Sequence, residues 1–179
     1  MAERFYIGAL RSADDRMRRI MQPPVQSQLA WFTSLRGWYA AVAMMVKRED
    51  ESPYFHVVPW DPKNTFWCVG SDGLDWACYR IKKTRKQIET EYDIKLENND
   101  TRDDRGIDVY DYYDKEINSV VLDDRVLKAK AGHNVGRVPV ALGAVGPTPM
   151  IQTDATDDNI EDFGESIYQS NREAYRERD

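Results

Sequence analysis

The chain has few cysteines, few histidines and no long hydrophobic run. Two cysteines and two histidines occur among its 179 residues. The longest apolar stretch, Trp38 to Val46, has nine residues, whereas a membrane-spanning helix needs about 20. The first residues also lack the charged leader and apolar block of a secretory signal. The sequence therefore predicts no membrane partner and no secretion.

The two cysteines flank the turn signal Gly70 to Gly73, which could bring them near each other across a hairpin. In a chain without a signal peptide, Cys68 and Cys78 are expected to be reduced. Buried free cysteines behave as small hydrophobic residues. We therefore predict two buried thiols and no disulfide.

The metal-ligand pattern is equally sparse. His56 and His133 stand alone, and no Cys-x-x-Cys pair occurs. The acidic stretches Asp100–Asp104 and Asp154–Asp158 lack the glycine and glutamate positions of a calcium-binding loop. The sequence predicts no metal site and no cofactor.

The charge is weakly acidic, with a net value of −6 at pH 7. A free-standing DNA-binding domain usually has a strongly basic footprint, so the net charge argues against affinity for phosphate over the whole surface and leaves a local basic face open. Hydrophobic residues make up 41% of the chain, which suffices for one ordinary globular domain with a hydrophobic core.

Two helices are predicted at the start of the chain. Apolar residues at three- and four-residue spacing indicate a helix over residues 2–21. Pro23 and Pro24 end it, because proline removes a backbone donor and clashes with the preceding turn. A second helix covers Val25 to Arg36, and Gly37 stops it.

The centre of the chain alternates apolar and polar residues in short runs, as strands do. Strands are predicted at Trp38–Lys47, His56–Trp60, Thr65–Gly70, Leu74–Lys82, Ile107–Tyr113, Ser119–Leu122, Arg125–Lys130 and Val138–Val145. A capping-box pattern at Thr84 opens a short helix to about Tyr92. The fold class is therefore α+β: a mostly antiparallel twisted sheet or partial β-barrel, flanked by two N-terminal helices and one C-terminal helix.

Three segments follow from this pattern: an N-terminal helical segment, 1–36; a β-rich domain, 37–146, with the short helix near 84–92; and a connecting arm with a C-terminal helix, 147–179. The C-terminal helix carries an apolar stripe, which predicts a subunit interface at Ile160, Phe163, Ile167, Tyr168 and Tyr175.

One compact basic cluster stands out, formed by Lys82, Lys83, Arg85 and Lys86. These side chains could contact nucleic-acid phosphates. The alternative interpretation is a solvated strand end followed by a helix start.

The five tryptophans also allow two interpretations. They lie between residues 31 and 76 and could stack on single-stranded bases, or form a core or subunit interface, because they stand among other apolar residues. If the rings of Trp67 and Trp76 are buried, replacing either with alanine should cost about 3–5 kcal/mol.

Catalysis has little support in the sequence. Asp and Glu total 31, so a hydrolase with dispersed carboxylates remains an alternative, but no nucleophile motif selects any of them. The glycines around Val145 are followed by Pro147 and Pro149, which favours a turn over a phosphate loop. We expect no enzyme, and no pocket of titratable groups with shifted pKa values.

The order of several motifs resembles the portal proteins of tailed bacteriophages. The opening helix–Pro–helix–Gly–strand arrangement is one of them. The others are Val58–Pro62, Leu74–Tyr79, Val109–Asp114, His133–Val140 and Gly164–Gln169. Each motif is weakly specific alone, and their order and spacing together are more so. The resemblance covers nearly the whole chain and corresponds to the wing, the outer part of each subunit.

The resemblance implies a structural component of the virion, at the portal vertex of the capsid, assembled in the host cytoplasm. Such head-to-tail connector rings have about twelve subunits, through which double-stranded DNA is packaged and ejected. Other portal subunits, the capsid protein, the terminase and a tail adaptor would be the partners. The family's chains are longer, so a wing portion truncated before the stem, clip and crown is expected. A nucleic-acid-binding β-domain using the tryptophans and Lys82–Lys86 is the alternative function.

Overall fold

The computed structural model describes residues 2–47, 51–96, 106–122 and 125–145. These residues form three α-helices, a short 3₁₀ turn at Pro62–Asn64 and eight strands. The helices are α1 (Ala2–Arg19), α2 (Val25–Arg36) and α3 (Arg85–Tyr92). The strands are β1 (Trp38–Lys47), β2 (Pro53–Trp60), β3 (Thr65–Gly70), β4 (Gly73–Lys83), β5 (Ile107–Asp114), β6 (Ile117–Leu122), β7 (Arg125–Gly132) and β8 (Val140–Ala144).

The described residues divide into two compact units. Unit 1 contains the residues up to Lys63 together with those from Val140 onward, and unit 2 runs from Asn64 to Pro139. These boundaries differ from those of the segments 1–36, 37–146 and 147–179. The difference arises because β8, late in the sequence, pairs with β1, which no local sequence pattern indicates.

Unit 1 has a three-stranded antiparallel sheet in the order β2-β1-β8. Asp14 of α1 accepts a hydrogen bond at 2.8 Å from the backbone N–H of Val25, the first residue of α2. Gly37 ends α2 with a φ of 69°, and its N–H donates to the Thr33 carbonyl at 3.2 Å. A left-handed φ favours glycine, which has no Cβ.

The core of unit 1 joins the helices to the sheet. Its buried members come from α1, α2, β1 and β2: Ala13, Met17, Val25, Ala41 and Val57. On β1, residues 41, 43, 45 and 47 point to one face because side chains alternate along a strand. Ala41 therefore lies on the same face as the side chain of Lys47.

Unit 2 has a five-stranded antiparallel sheet in the order β3-β4-β5-β6-β7. Its core combines the wholly buried Ile88 of α3 with apolar side chains of β5 and β6. The capping box is present: the Thr84 N–H donates to the side chain of Gln87 at 2.8 Å, while the Thr84 hydroxyl accepts from the Gln87 N–H at 3.3 Å. It fixes the start of α3.

The α+β class with antiparallel sheets is confirmed. Among the described residues two sheets occur rather than one, and both are open instead of closing into a barrel. The first helix ends at Arg19, two residues before the predicted end, and β2 begins at Pro53, three residues before the predicted start. The arm and C-terminal helix, 147–179, lie outside the described residues.

Within the described ranges, no helix combines the length and apolar composition needed to cross a membrane.

Candidate functional site

The basic cluster predicted at the end of β4 is partly neutralised by the chain itself. The ammonium group of Lys83 forms an ion pair with the Glu91 carboxylate, and it lies 5.3 Å from the centre of the Tyr92 ring. Burial raises the pKa of Tyr92 to about 12, helped by the charge of Glu91. Lys83 is therefore held against α3 and is not freely available to an external phosphate.

Arg85 is likewise engaged within unit 2. Its Nε lies 3.1 Å from Glu89 Oε1, and its guanidinium donates to the carbonyl oxygen of Leu96. Glu89 also accepts from the Leu96 N–H at 3.0 Å. That backbone hydrogen bond, followed by the one from Arg85, lowers the pKa of Glu89. Arg85 and Glu89 together hold the backbone at Leu96, after α3, in place.

Two of the four predicted phosphate contacts, Lys82 and Lys86, remain exposed. Lys82 is paired across strands with Asp108, whose carboxylate reduces the local positive potential. The basic cluster thus presents less charge to solvent than its sequence indicates, which favours the interpretation as a strand end and helix start.

The tryptophans divide by burial. Trp38 and Trp60 are buried, as the core interpretation predicts. Trp31 is 51% exposed and lies beside Arg36, whose guanidinium is 5.9 Å from the ring centre. Trp76 is half-buried and stacks on Tyr112 with ring centres 6.2 Å apart. Within the described residues, the tryptophan rings therefore do not form a continuous exposed row on which bases could stack.

The cysteines lie diagonally on one face of the β3–β4 pair. Phe66 is paired with Cys78, and Cys68 with Trp76. Both thiols are free, as predicted. Cys68 is exposed, so its predicted burial is wrong, because β3 is an edge strand. Burial, together with the charge of Asp111, raises the pKa of Cys78 from 9.0 to about 11.

A polar network spans three strands of unit 2, around Asp111 on β5. Asn118 Nδ2 donates to Asp111 Oδ1 at 2.7 Å and to the carbonyl of Tyr112 at 3.1 Å. Lys128 Nζ donates to Asn118 Oδ1 at 2.7 Å. Both the amide nitrogen and the amide oxygen of the buried Asn118 are therefore hydrogen-bonded, and the side chain links β5, β6 and β7.

Burial raises the pKa of Asp111, although the hydrogen bond from Asn118 and the charge of Lys128 oppose the rise. Burial and the neighbouring Asp111 charge also raise the pKa of Tyr113. Sequence reasoning missed this group of shifted pKa values, because an aspartate within an alternating β-strand is expected to face solvent.

The two histidines lie in separate units. His56 Nδ1 is 2.9 Å from Arg16 Nη1, and His133 Nε2 is 2.9 Å from the carbonyl oxygen of Asp114. Among the residues that the structure describes, no three His, Cys, Asp or Glu side chains are placed to hold a metal ion.

Sequence reasoning also missed a groove in unit 1 with a volume of about 890 Å³. One wall is a single face of α1, and the other comes from β1 and β2. Its lining residues are Gly8, Arg11, Ser12, Asp15, Arg16, Arg19, Lys47, Tyr54 and Phe55. The available signal was the spacing of positions 8, 11, 12, 15, 16 and 19 along α1, because residues three and four apart share a helix face.

Exposed apolar side chains are concentrated in unit 1. Ten large apolar or aromatic residues are exposed among the described residues, and of these only Val126 belongs to unit 2. In the first turns of α1, Phe5 is 56% and Tyr6 61% exposed, and the neighbouring Ile7 is exposed as well. Among the apolar side chains of α1, Ala13 and Met17 are buried, whereas those of its first turns are exposed.

The predicted interface residues Ile160, Phe163, Ile167, Tyr168 and Tyr175 lie outside the described residues. A scan against protein-family models finds no match to the chain, and a search of curated proteins also finds none.

Proposed function

We propose that this chain is a structural component of a portal ring and corresponds to the wing-like part of a subunit. In this proposal the protein resides at the portal vertex of the virion, copies of the chain contact one another around a ring, and double-stranded DNA passes through its centre. The order of the sequence motifs supports the assignment to this family.

The observation that carries the proposal is the concentration of exposed apolar residues on unit 1. Exposed apolar residues that are grouped on one part of a protein favour a protein–protein contact surface there. Phe5, Tyr6 and Ile7 are consecutive on α1, and Met21, which is 95% exposed, follows the helix. These side chains would lose contact with water on assembly, so they favour a protein that works by binding its neighbours.

Two alternatives receive less support. The ion pairs of Lys83 and Arg85 within the chain remove half of the basic cluster that a nucleic-acid-binding domain would use. A hydrolase would need a nucleophile or an acid–base pair, and the Asp111 network instead joins three strands through Asn118.

Sedimentation velocity and electron microscopy of the purified full chain test the proposal. We expect oligomers, with rings visible in micrographs, and we expect the double variant Phe5→Ser/Ile7→Ser to sediment as a monomer. Val126→Ser is the matched control, because it also places serine at an exposed aliphatic position but lies in unit 2. It should assemble like the parent chain.

A parent chain that stays monomeric up to its solubility limit would overturn the proposal. So would assembly that persists unchanged in Phe5→Ser/Ile7→Ser. Tight, salt-sensitive binding of single-stranded DNA that is lost in Lys82→Glu/Lys86→Glu would instead favour the nucleic-acid-binding function.

A further inference from the structure

The groove of unit 1 has one strongly charged wall. Arg11, Arg16 and Arg19 lie on the same face of α1, and Lys47 approaches from the end of β1. Asp15 is the single acidic residue in the lining, and it forms an ion pair with Arg18 at 3.1 Å. Lys47 is paired with Glu51 at 2.6 Å, so the excess of positive charge in the groove comes from the arginines of α1.

Arg16 is fixed in place. Its Nη1 donates to His56 Nδ1 at 2.9 Å, and its Nη2 donates to the Val57 carbonyl oxygen at 2.5 Å. The guanidinium also lies 5.8 Å from the centre of the Tyr54 ring. A cation held this way needs little further ordering to bind an anion, so it forms a preorganised centre of the groove.

The remaining arginines are available for a partner. Arg11 and Arg19 are both exposed, and neither forms an ion pair or hydrogen bond with another residue in the described part of the chain. Arginine is suited to paired hydrogen bonds with carboxylates. Phe55 adds an apolar side chain to the same groove, so an acidic peptide with apolar residues would fit its chemistry.

The chain itself contains such a peptide. Residues 154–165 hold six acidic and no basic side chains, and they include Ile160 and Phe163. We infer that the α1 groove binds this acidic segment of the same chain, with its carboxylates against the arginines and an apolar side chain beside Phe55. This inference goes beyond the proposed function, because it concerns contacts within one chain.

The length of the connection permits this contact. Val145 donates from its N–H to the Gly37 carbonyl at 2.8 Å, which places it at the start of β1. Lys47 lies at the far end of that ten-residue strand, a distance of about 33 Å. Fifteen extended residues after Val145 reach up to about 50 Å, so residue 160 can arrive at the groove. A tether this short also keeps the local concentration of the segment high.

Carbodiimide cross-linking of the full chain, followed by peptide mass spectrometry, tests the inference. This reagent joins a carboxylate to a lysine amine in direct contact. We expect links from Lys47 to acidic residues of 154–165. The ion pair between Lys47 and Glu51, at 2.6 Å, gives a local link that serves as an internal reference in every variant.

Three double variants separate the contribution of the α1 arginines to the cross-link yield from that of the total charge. In Arg11→Gln/Arg19→Gln, the yield of links from Lys47 to 154–165, relative to the Glu51 reference, should fall roughly tenfold. One exposed ion pair contributes modestly, but this variant removes two of the cations that bind the segment. Lys86→Gln/Lys130→Gln makes the same charge change on unit 2 and should leave the yield unchanged. Arg11→Lys/Arg19→Lys should keep the yield and add new links from positions 11 and 19 to the segment.

Three results would overturn the inference. Links to 154–165 could be absent, or they could persist at full yield in Arg11→Gln/Arg19→Gln. In an equal mixture of nitrogen-14 and nitrogen-15 chains, links between differently labelled chains would assign the groove to a second copy instead. A monomeric parent chain, which would overturn the proposed ring, leaves this test intact.

Discussion

Replacing Trp60 with alanine should be among the most destabilising single substitutions in unit 1. Trp60 is 2% exposed, and it is paired across strands with Ala40, which is wholly buried. A buried tryptophan removes about 200 Å² from water, which corresponds to about 5 kcal/mol at ~25 cal/mol per Å². Since the unfolded chain already buries part of that area, the estimate falls to about 3–4.5 kcal/mol.

Urea unfolding, followed by far-ultraviolet circular dichroism, measures this loss. The midpoint should fall while the dependence on denaturant stays unchanged, because the substitution alters stability and not the surface exposed on unfolding. Trp31→Ala is the matched control: the same residue type is removed from a side chain that is 51% exposed. Its cost should stay below about 1 kcal/mol.

A loss below about 1 kcal/mol for Trp60→Ala would refute the burial argument, since removing a buried tryptophan ring leaves a cavity whose free-energy cost is larger than that. A larger loss for Trp31→Ala than for Trp60→Ala would also refute it. Trp67 and Trp76 are only half-buried, so the cost of 3–5 kcal/mol expected from the sequence applies to Trp60 and not to them.

Two further outcomes are expected in unit 2. Burial raises the pKa of Asp111 above 3.8 in the folded state, so the folded protein holds this proton more tightly than the unfolded chain, and the contribution of this carboxyl to the free energy of unfolding should decline as pH rises from that value. Asp111→Asn should remove that contribution, so the urea midpoint of the variant should gain on that of the parent as pH increases; a difference between the two midpoints that stays constant with pH would contradict the assignment. Thr84→Ala removes the side-chain half of the capping box and should cost about 1 kcal/mol; a thermal melt matching that of the parent would show that the cap contributes nothing.

Local elements of the fold were predictable, because short-range rules determine them. The proline pair and Gly37 bound α2, and Thr84 with Gln87 opens α3. Alternation of apolar residues places the strands to within a few residues. These signals depend only on residues that are close in the sequence, so they can be interpreted without knowing the tertiary fold.

Long-range features were not predictable in the same way. The pairing of Val42 with Val140 divides the strands between two sheets, yet nothing near either residue indicates the other. Similarly, the basic run at Lys82 to Lys86 suggested a charged site, whereas Glu89 and Glu91 of α3 neutralise half of it by pairing with Arg85 and Lys83. The groove beside the arginines of α1 cannot be derived from local sequence, because its facing wall comes from β1 and β2.

The position of β8 beside β1 has a consequence for synthesis on the ribosome. Trp60 ends β2, and Val140 begins β8, 80 residues later. At translation rates of about 5–20 residues per second, the β1–β2 hairpin waits roughly 4–16 s for its third strand. During that interval β1 has an unpaired hydrogen-bonding edge, which is a template for association with other nascent chains. Slow codons between the two strands should therefore lower the yield of soluble protein.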